Sequence, residues 1–274
     1  MKDIITTNIK FVFFQILIYI VIYFIIITIE SLYEKTKRED MIENYDGIYT
    51  AVIIEPRKHK ALFHVLKNFT SMLDNKWNFI IFHGNQNYEF VKNIIDKLDD
   101  KNRIKMINLN VDDLSIYNYN ELLYSKKFYE YIPTEIFLIF QTDTLICELF
   151  KNNINKFLEY DYVGAPWVNG EIGNGGLSLR KKNKMLEIID KCNDRIYYNG
   201  NNLHNEDIFF SKMCNDRVNI KKPILEDAKK FSIETVYNDE SFGIHKCWRY
   251  NNKENVEKIN NFCPGLIKLI NLNM

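Results

Sequence analysis

The 274 residues carry 36 Lys plus Arg against 36 Asp plus Glu, with 46% hydrophobic and 14% aromatic side chains. Such a composition supports a sizeable core and excludes a disordered chain. A formal charge of zero gives none of the basic footprint of a nucleic-acid binder.

The first element in chain order is apolar. After a short tail, 1–10, the stretch "FVFFQILIYIVIYFIIITI" fills 11–29 without a charge. As a helix it is roughly 28 Å long, close to the hydrocarbon thickness of a bilayer. It exceeds a signal-peptide core and no A-x-A-like cleavage site follows, so it reads as a retained signal anchor of a single-pass membrane protein. Basic residues flank it almost evenly, with Lys2 and Lys10 before and Lys35, Lys37 and Arg38 after, so charge does not set its orientation. The polar, charged residues 30–44 read as a stem, and residues 45–274 as one domain.

From Gly47 onward the chain alternates strands with helices. "IYTAVII" (Ile48–Ile54), "WNFIIFHG" (Trp77–Gly84), "IKMINLN" (Ile104–Asn110) and "IFLIF" (Ile136–Phe140) are β-branched or aromatic runs that predict strands. Between them, "KALFHVLKNFTSML", "YEFVKNIIDKL" and "YNELLYSKKFYEYI" have helical spacing. This alternation predicts an α/β fold with a mostly parallel sheet flanked by helices. Asn68-Phe-Thr70 matches a glycosylation acceptor. The five cysteines, Cys147, Cys192, Cys214, Cys247 and Cys263, form no C-x-x-C pair or zinc spacing and read as buried small hydrophobes.

Candidate chemistry follows the fourth strand. In "IFLIFQTDTLIC" an apolar run ends at Gln141, Thr142 and Asp143. A carboxylate there either caps a following helix or holds a cation at the sheet edge. "GNGGLSLR" (Gly173–Arg180) places three glycines in four residues, before a predicted helix over "KKNKMLEIID", and reads as a tight turn or a place of close approach. "NEDIFFS" puts Glu206 and Asp207 before an apolar run, as acids favoured at a helix start or as a general base. "FGIHKCW" sets His245 between apolar neighbours. Imidazole and carboxylate together are ordinary Mn²⁺ ligands.

Taken in order, "AVIIEPR", "WNFIIFHGNQN", "FQTDT", "FLEYDYVGAPW", "GNGGLSLRKK", "NEDIFFS" and "FGIHKCW" resemble a glycosyltransferase-like family of unknown function from microbes and large DNA viruses. The resemblance implies a GT-A-like mixed sheet and a nucleotide-diphospho-sugar transferase of the hexosyltransferase kind, with an inverting mechanism and Mn²⁺ or Mg²⁺ as cofactor. It matches Asp143 to the last aspartate of a D-x-D motif, with Gln141 where a carboxylate is usual, and His245 to a late metal-binding histidine. It implies Asp207 or Glu206 as catalytic base. It also implies donor or acceptor contacts from Glu55, Arg57, Gln141, Thr142, Trp167, Asn174, Gly175 and Gly176. The implied partners are a nucleotide-sugar donor, a glycan, protein or lipid acceptor, and a membrane; no nucleic acid is expected. A lumenal domain follows from the resemblance alone. A nucleotidyltransferase, an inactive sugar-nucleotide binder and a structural membrane protein are the competing readings.

Overall fold

The computed structural model describes residues 2–43, 46–198 and 202–274, and the chain divides into two units, Met1–Tyr45 and Asp46–Met274. The expected end of the stem at 44 and the start of the domain at 45 fall outside the described residues. In the first unit one helix, α1, runs Lys2–Glu43. Its stretch Phe14–Tyr33 is long and apolar enough to cross a membrane, with a mean hydropathy of 2.3. Helix α1 also continues through residues 30–43, where the polar composition suggested a separate stem.

The second unit is built on a six-stranded sheet. Its strands are β1 (Tyr49–Ile54), β2 (Trp77–His83), β3 (Ile104–Asn108), β4 (Ile136–Phe140), β6 (Tyr162–Gly164) and β7 (Leu177–Lys181), while β5 (Thr144–Ile146) belongs elsewhere. The order is β3-β2-β1-β4-β7-β6. Strands β1 to β4 are mutually parallel, whereas β7 runs antiparallel to β4 and β6. Alternation along β1 shows why the sheet is covered on both faces. Ala51 and Ile53 enter one apolar cluster with the helix Leu62–Met72 (α2), and Val52 and Ile54 enter the other. A strand buried on both sides needs an unbroken apolar run, which is what "AVII" supplies.

The connections β1–β2–β3 step the chain to one edge, and β4 then returns to the other side of β1. The carboxyl ends of β1 and β4 thus lie side by side where the strand order reverses, the usual place for a ligand crevice in such sheets. A second sheet, β10 (Ser232–Ile233), β11 (Gly243–His245) and β5, starts just past this edge. A two-stranded ribbon, β8 (Tyr197–Tyr198) and β9 (Asn202–Leu203), completes the strands.

Three local expectations differ from the structure. The helix expected over 119–132 is two, Ile116–Tyr124 and Lys126–Glu130, broken where Ser125 is extended. The first of them starts early because the Ser115 hydroxyl accepts the Asn118 N–H and caps it. Asn68 is no free glycosylation acceptor: its Oδ1 accepts the Ile146 N–H and its Nδ2 donates to the Ile146 carbonyl, pinning α2 to β5. Four of the cysteines are cross-linked, Cys147 to Cys263 and Cys192 to Cys214, and only Cys247 is a free, buried thiol.

Candidate active site

A cleft of about 470 Å³ opens at the crevice between β1 and β4. Of the residues singled out in the sequence, Glu55, Arg57, Gln141, Thr142, Asp143, Asn174, Gly175, Gly176, Glu206, Asp207 and His245 all line it. Trp167 is not among the lining residues. Its ring packs against Gly173, where an added Cβ would lie 2.4 Å from it.

Asp143 caps no helix, because the chain turns at Gln141–Thr144 and continues as β5. Thr144 pairs with His245 across the antiparallel β5–β11 ladder, and the Lys246 N–H donates to the Asp143 carbonyl at 2.9 Å. This pairing brings the two predicted ligands together, His245 Nε2 standing 3.3 Å from Asp143 Oδ1. Both atoms are buried without a hydrogen-bond partner.

The state of the imidazole follows from its other nitrogen. Nδ1 lies 2.7 Å from Asn174 Oδ1, which also accepts the Gly176 N–H at 3.2 Å. A backbone N–H can only donate, so that Asn174 atom is an acceptor and Nδ1 carries the proton. In the neutral ring, the Nε2 lone pair then points toward a carboxylate oxygen. Two acceptors facing each other at this distance need a cation between them, a proton or a metal ion. Burial pulls the Asp143 carboxyl upward, but the closeness of His245, and then of Lys246, outweighs it and holds the group below its ordinary value.

Glu206 and Asp207 begin a short helical turn, Glu206–Ile208, that runs into a π-helical turn, Phe209–Met213. Adjacent in sequence, they have different roles. Glu206 makes a bidentate pair with Arg180, at 2.6 and 3.0 Å, and Arg180 itself is 0% exposed. The guanidinium also donates to Ser178 Oγ and lies over the rings of Tyr162 and Phe210. Both Glu206 oxygens accept from this guanidinium, whereas Asp207 makes no ion pair among the described residues. Burial, reinforced by the charge of Glu206, pushes the Asp207 carboxyl up to about 6. We expect Glu206→Gln to cost about 3–5 kcal/mol of stability, because it strands a buried guanidinium. A lowered urea midpoint checks this, and an unchanged midpoint refutes it.

The glycine-rich loop serves close approach. A Cβ on Gly175 would lie 2.1 Å from Glu206 Oε1, and one on Gly176 2.2 Å from the His245 ring. Neither residue has positive φ, so space rather than backbone freedom requires glycine here. Strand β7, which the sequence reading does not assign, follows the loop directly, and the helix expected over 181–190 forms as Lys182–Cys192. On the opposite wall Glu55 is buried and holds Arg57 through Nε and Nη2, at 2.8 and 2.9 Å, leaving Arg57 as an exposed cation at the rim. Gln141 donates to the Tyr119 hydroxyl at 3.3 Å.

Residues 103–245, more than half of the chain, match the family described as "Protein of unknown function (DUF5672)". The chain belongs to that family. No curated protein matches it. Among solved structures it is similar to an active-site mutant of LgtC, with 14% identity over 82% of this chain and 95% of that one and a TM-score of 0.50. It is similar also to the glycosyltransferase GlyE of Streptococcus pneumoniae TIGR4, with 9% identity over 81% of this chain, 62% of that one and a TM-score of 0.50. The bifunctional glycosyltransferase WbbM gives 9% identity over 83% of this chain, 52% of that one and a TM-score of 0.50. These likenesses show the fold, and this DUF5672 member has a GT-A-like domain behind an N-terminal apolar helix.

Several cleft residues of this DUF5672 member carried no signal in the sequence. Asp113 and Ser115 come from the connection after β3, and Ile116, Tyr119 and Asn120 from the first turns of the helix Ile116–Tyr124, where nothing in the helical spacing marks them as cleft residues. Asn120 Oδ1 accepts the Glu206 N–H at 3.0 Å and so fixes the acidic turn. Arg180 did have a signal: it stands among the alternating apolar residues of "GLSLRK", where a charge within a strand calls for a buried partner.

Proposed function

We propose that this chain is a membrane-anchored glycosyltransferase that moves a sugar from a nucleotide-diphosphate donor to a hydroxyl acceptor with inversion. The observation that carries the reading is the convergence of two buried, unpartnered acceptors, Asp143 Oδ1 and His245 Nε2, at the sheet edge. Their mixed carboxylate and imidazole chemistry fits Mn²⁺ better than Mg²⁺, which prefers oxygen donors alone, and the donor diphosphate and water would supply the remaining ligands. Among the described residues no third His, Cys, Asp or Glu joins them. Bound there, the ion supplies charge neutralisation and Lewis-acid assistance to the departing diphosphate.

The chain's own groups do the rest. Asp207, ionised at neutral pH, accepts the proton of the acceptor hydroxyl. That oxygen forms its bond to the anomeric carbon as the bond from that carbon to the diphosphate oxygen breaks, and the electron pair leaves with the nucleoside diphosphate. Arg57 and Lys246 are the cations on the cleft wall and offer counter-charge to the phosphates. Asn174, expected among the substrate contacts, lines the cleft and also orients His245 through its side-chain carbonyl oxygen.

The two disulfides support placing the domain on the non-cytoplasmic side of the membrane, since such cross-links persist in oxidising compartments. Burial pushes the Cys247 thiol up to about 12, so it is unreactive in the folded protein. In denatured, unreduced membrane extracts, maleimide–polyethylene glycol should therefore add once per chain, and five times after reduction, given five cysteines. Five additions without reduction would contradict this orientation. Transfer or hydrolysis of nucleotide sugars, with and without Mn²⁺, tests the activity itself.

A further inference from the structure

Glu234 follows β10, is only 3% exposed, and has no part in the proposed chemistry. It does not line the cleft, yet one of its oxygens meets two residues that do. Oε1 lies 3.4 Å from His245 Nδ1 and 3.3 Å from Lys246 Nζ. Its main chain is held as well, the Glu234 carbonyl accepting from Asn251 Nδ2 at 2.7 Å. A buried carboxylate is retained only where its partners compensate its desolvation. Here those partners are the imidazole and the lysine that follows it.

Lys246 is unusual in its own right. It sits in the left-handed region, with φ 35° and ψ 33°, one of two such non-glycine residues among those described. For a long side chain that conformation is strained and needs a compensating contact. The Lys246 N–H is bonded to the Asp143 carbonyl, so its flexible side chain starts within easy reach of the Asp143 carboxylate. A lysine there would provide the missing cation itself and close the site to a metal ion. The ion pair with Glu234 draws the ammonium the other way.

We infer that Glu234 is a positioning residue that keeps the Lys246 ammonium off Asp143 and backs the Nδ1 side of His245, so that the Asp143–His245 pair stays open to a divalent cation. This rests on the cation site proposed above.

The test is Mn²⁺ titration followed by electron paramagnetic resonance on the anchor-containing protein in detergent, with melting curves to confirm folding. Glu234→Gln should weaken Mn²⁺ binding by about 10–100-fold. Adding Lys246→Met to that variant should recover most of the loss, and Lys246→Met alone should bind Mn²⁺ at least as well as wild type. Unchanged affinity in Glu234→Gln, or a loss that Lys246→Met does not recover, overturns the inference while leaving the cation site standing. Wild-type protein that binds no Mn²⁺ overturns the cation site and this inference with it. A metal-free crystal structure of Glu234→Gln gives an independent readout. It should show Lys246 Nζ paired with Asp143, and an ammonium that stays away from Asp143 contradicts the proposed role.

Discussion

Asp207→Asn is expected to fold, to bind nucleotide sugar, and to turn over roughly 10²–10⁴-fold more slowly, the usual contribution of a general base. The amide keeps the oxygen that accepts the Ile208 N–H at 2.8 Å, so the helical turn loses little. Stability moves the opposite way from activity. Because the native state raises this carboxyl to about 6, it holds the proton more tightly than the unfolded chain does. The wild type therefore loses stability as pH rises from about 4 to about 6, and the asparagine variant escapes that loss at neutral pH. The same titration sets the pH profile. Wild-type kcat should fall as pH drops through about 6, and the residual rate of Asp207→Asn should lack that limb. An asparagine enzyme of undiminished rate removes Asp207 from the mechanism, since Glu206 is already committed to Arg180.

The second large effect concerns the cation. Asp143→Asn removes one formal charge while keeping shape, and His245→Ala removes the imidazole. Each should abolish Mn²⁺-dependent binding of a uridine or guanosine diphosphate sugar at concentrations that saturate wild type. Their effects on the unliganded protein should differ. Asp143→Asn should change stability little, because the fold favours the charge it removes while the amide keeps the shape and can donate to Nε2. His245→Ala opens a cavity beside Gly176 and leaves the Asn174 oxygen with only the Gly176 N–H, so it should lower the melting temperature. Gln141→Asp adds a carboxylate beside the cation site but forfeits the hydrogen bond to Tyr119, so tighter metal binding is expected together with a less rigid wall.

How far these residues could be read from the sequence depends on the range of the interactions that place them. Asp143 was legible because it interrupts an apolar strand, a local contradiction that physics has to resolve. His245 was legible as one of five histidines in an apolar frame. The pairing of the two was not legible, since it depends on β5 reversing against β11 a hundred residues later. The division of labour between Glu206 and Asp207 was equally hidden. It is set by Arg180, which reaches Glu206 from a neighbouring strand, and no spacing in the chain shows which carboxylate it takes. Glu234 lay in "FSIET" without any pattern around it, and only burial beside His245 gives it meaning. The parallel part of the sheet is legible almost to the residue, because β1, β2 and β4 are buried on both faces and need long apolar runs, while the half-buried edge strand β3 still keeps its apolar residues. The helix after the glycine-rich loop is legible almost to the residue, but the short strand β7 between them is not, because "LSLR" carries a charge that hides its burial.

The most direct test of the central claim is release of nucleoside diphosphate from a panel of uridine and guanosine diphosphate sugars by purified protein with Mn²⁺, in parallel with Asp143→Asn and with chelator. At least one donor should be turned over by the wild-type protein, with release lost both in the variant and on chelation. Release that is equal in wild type, Asp143→Asn and chelator, or no release from any donor across the panel, would contradict a metal-dependent transferase.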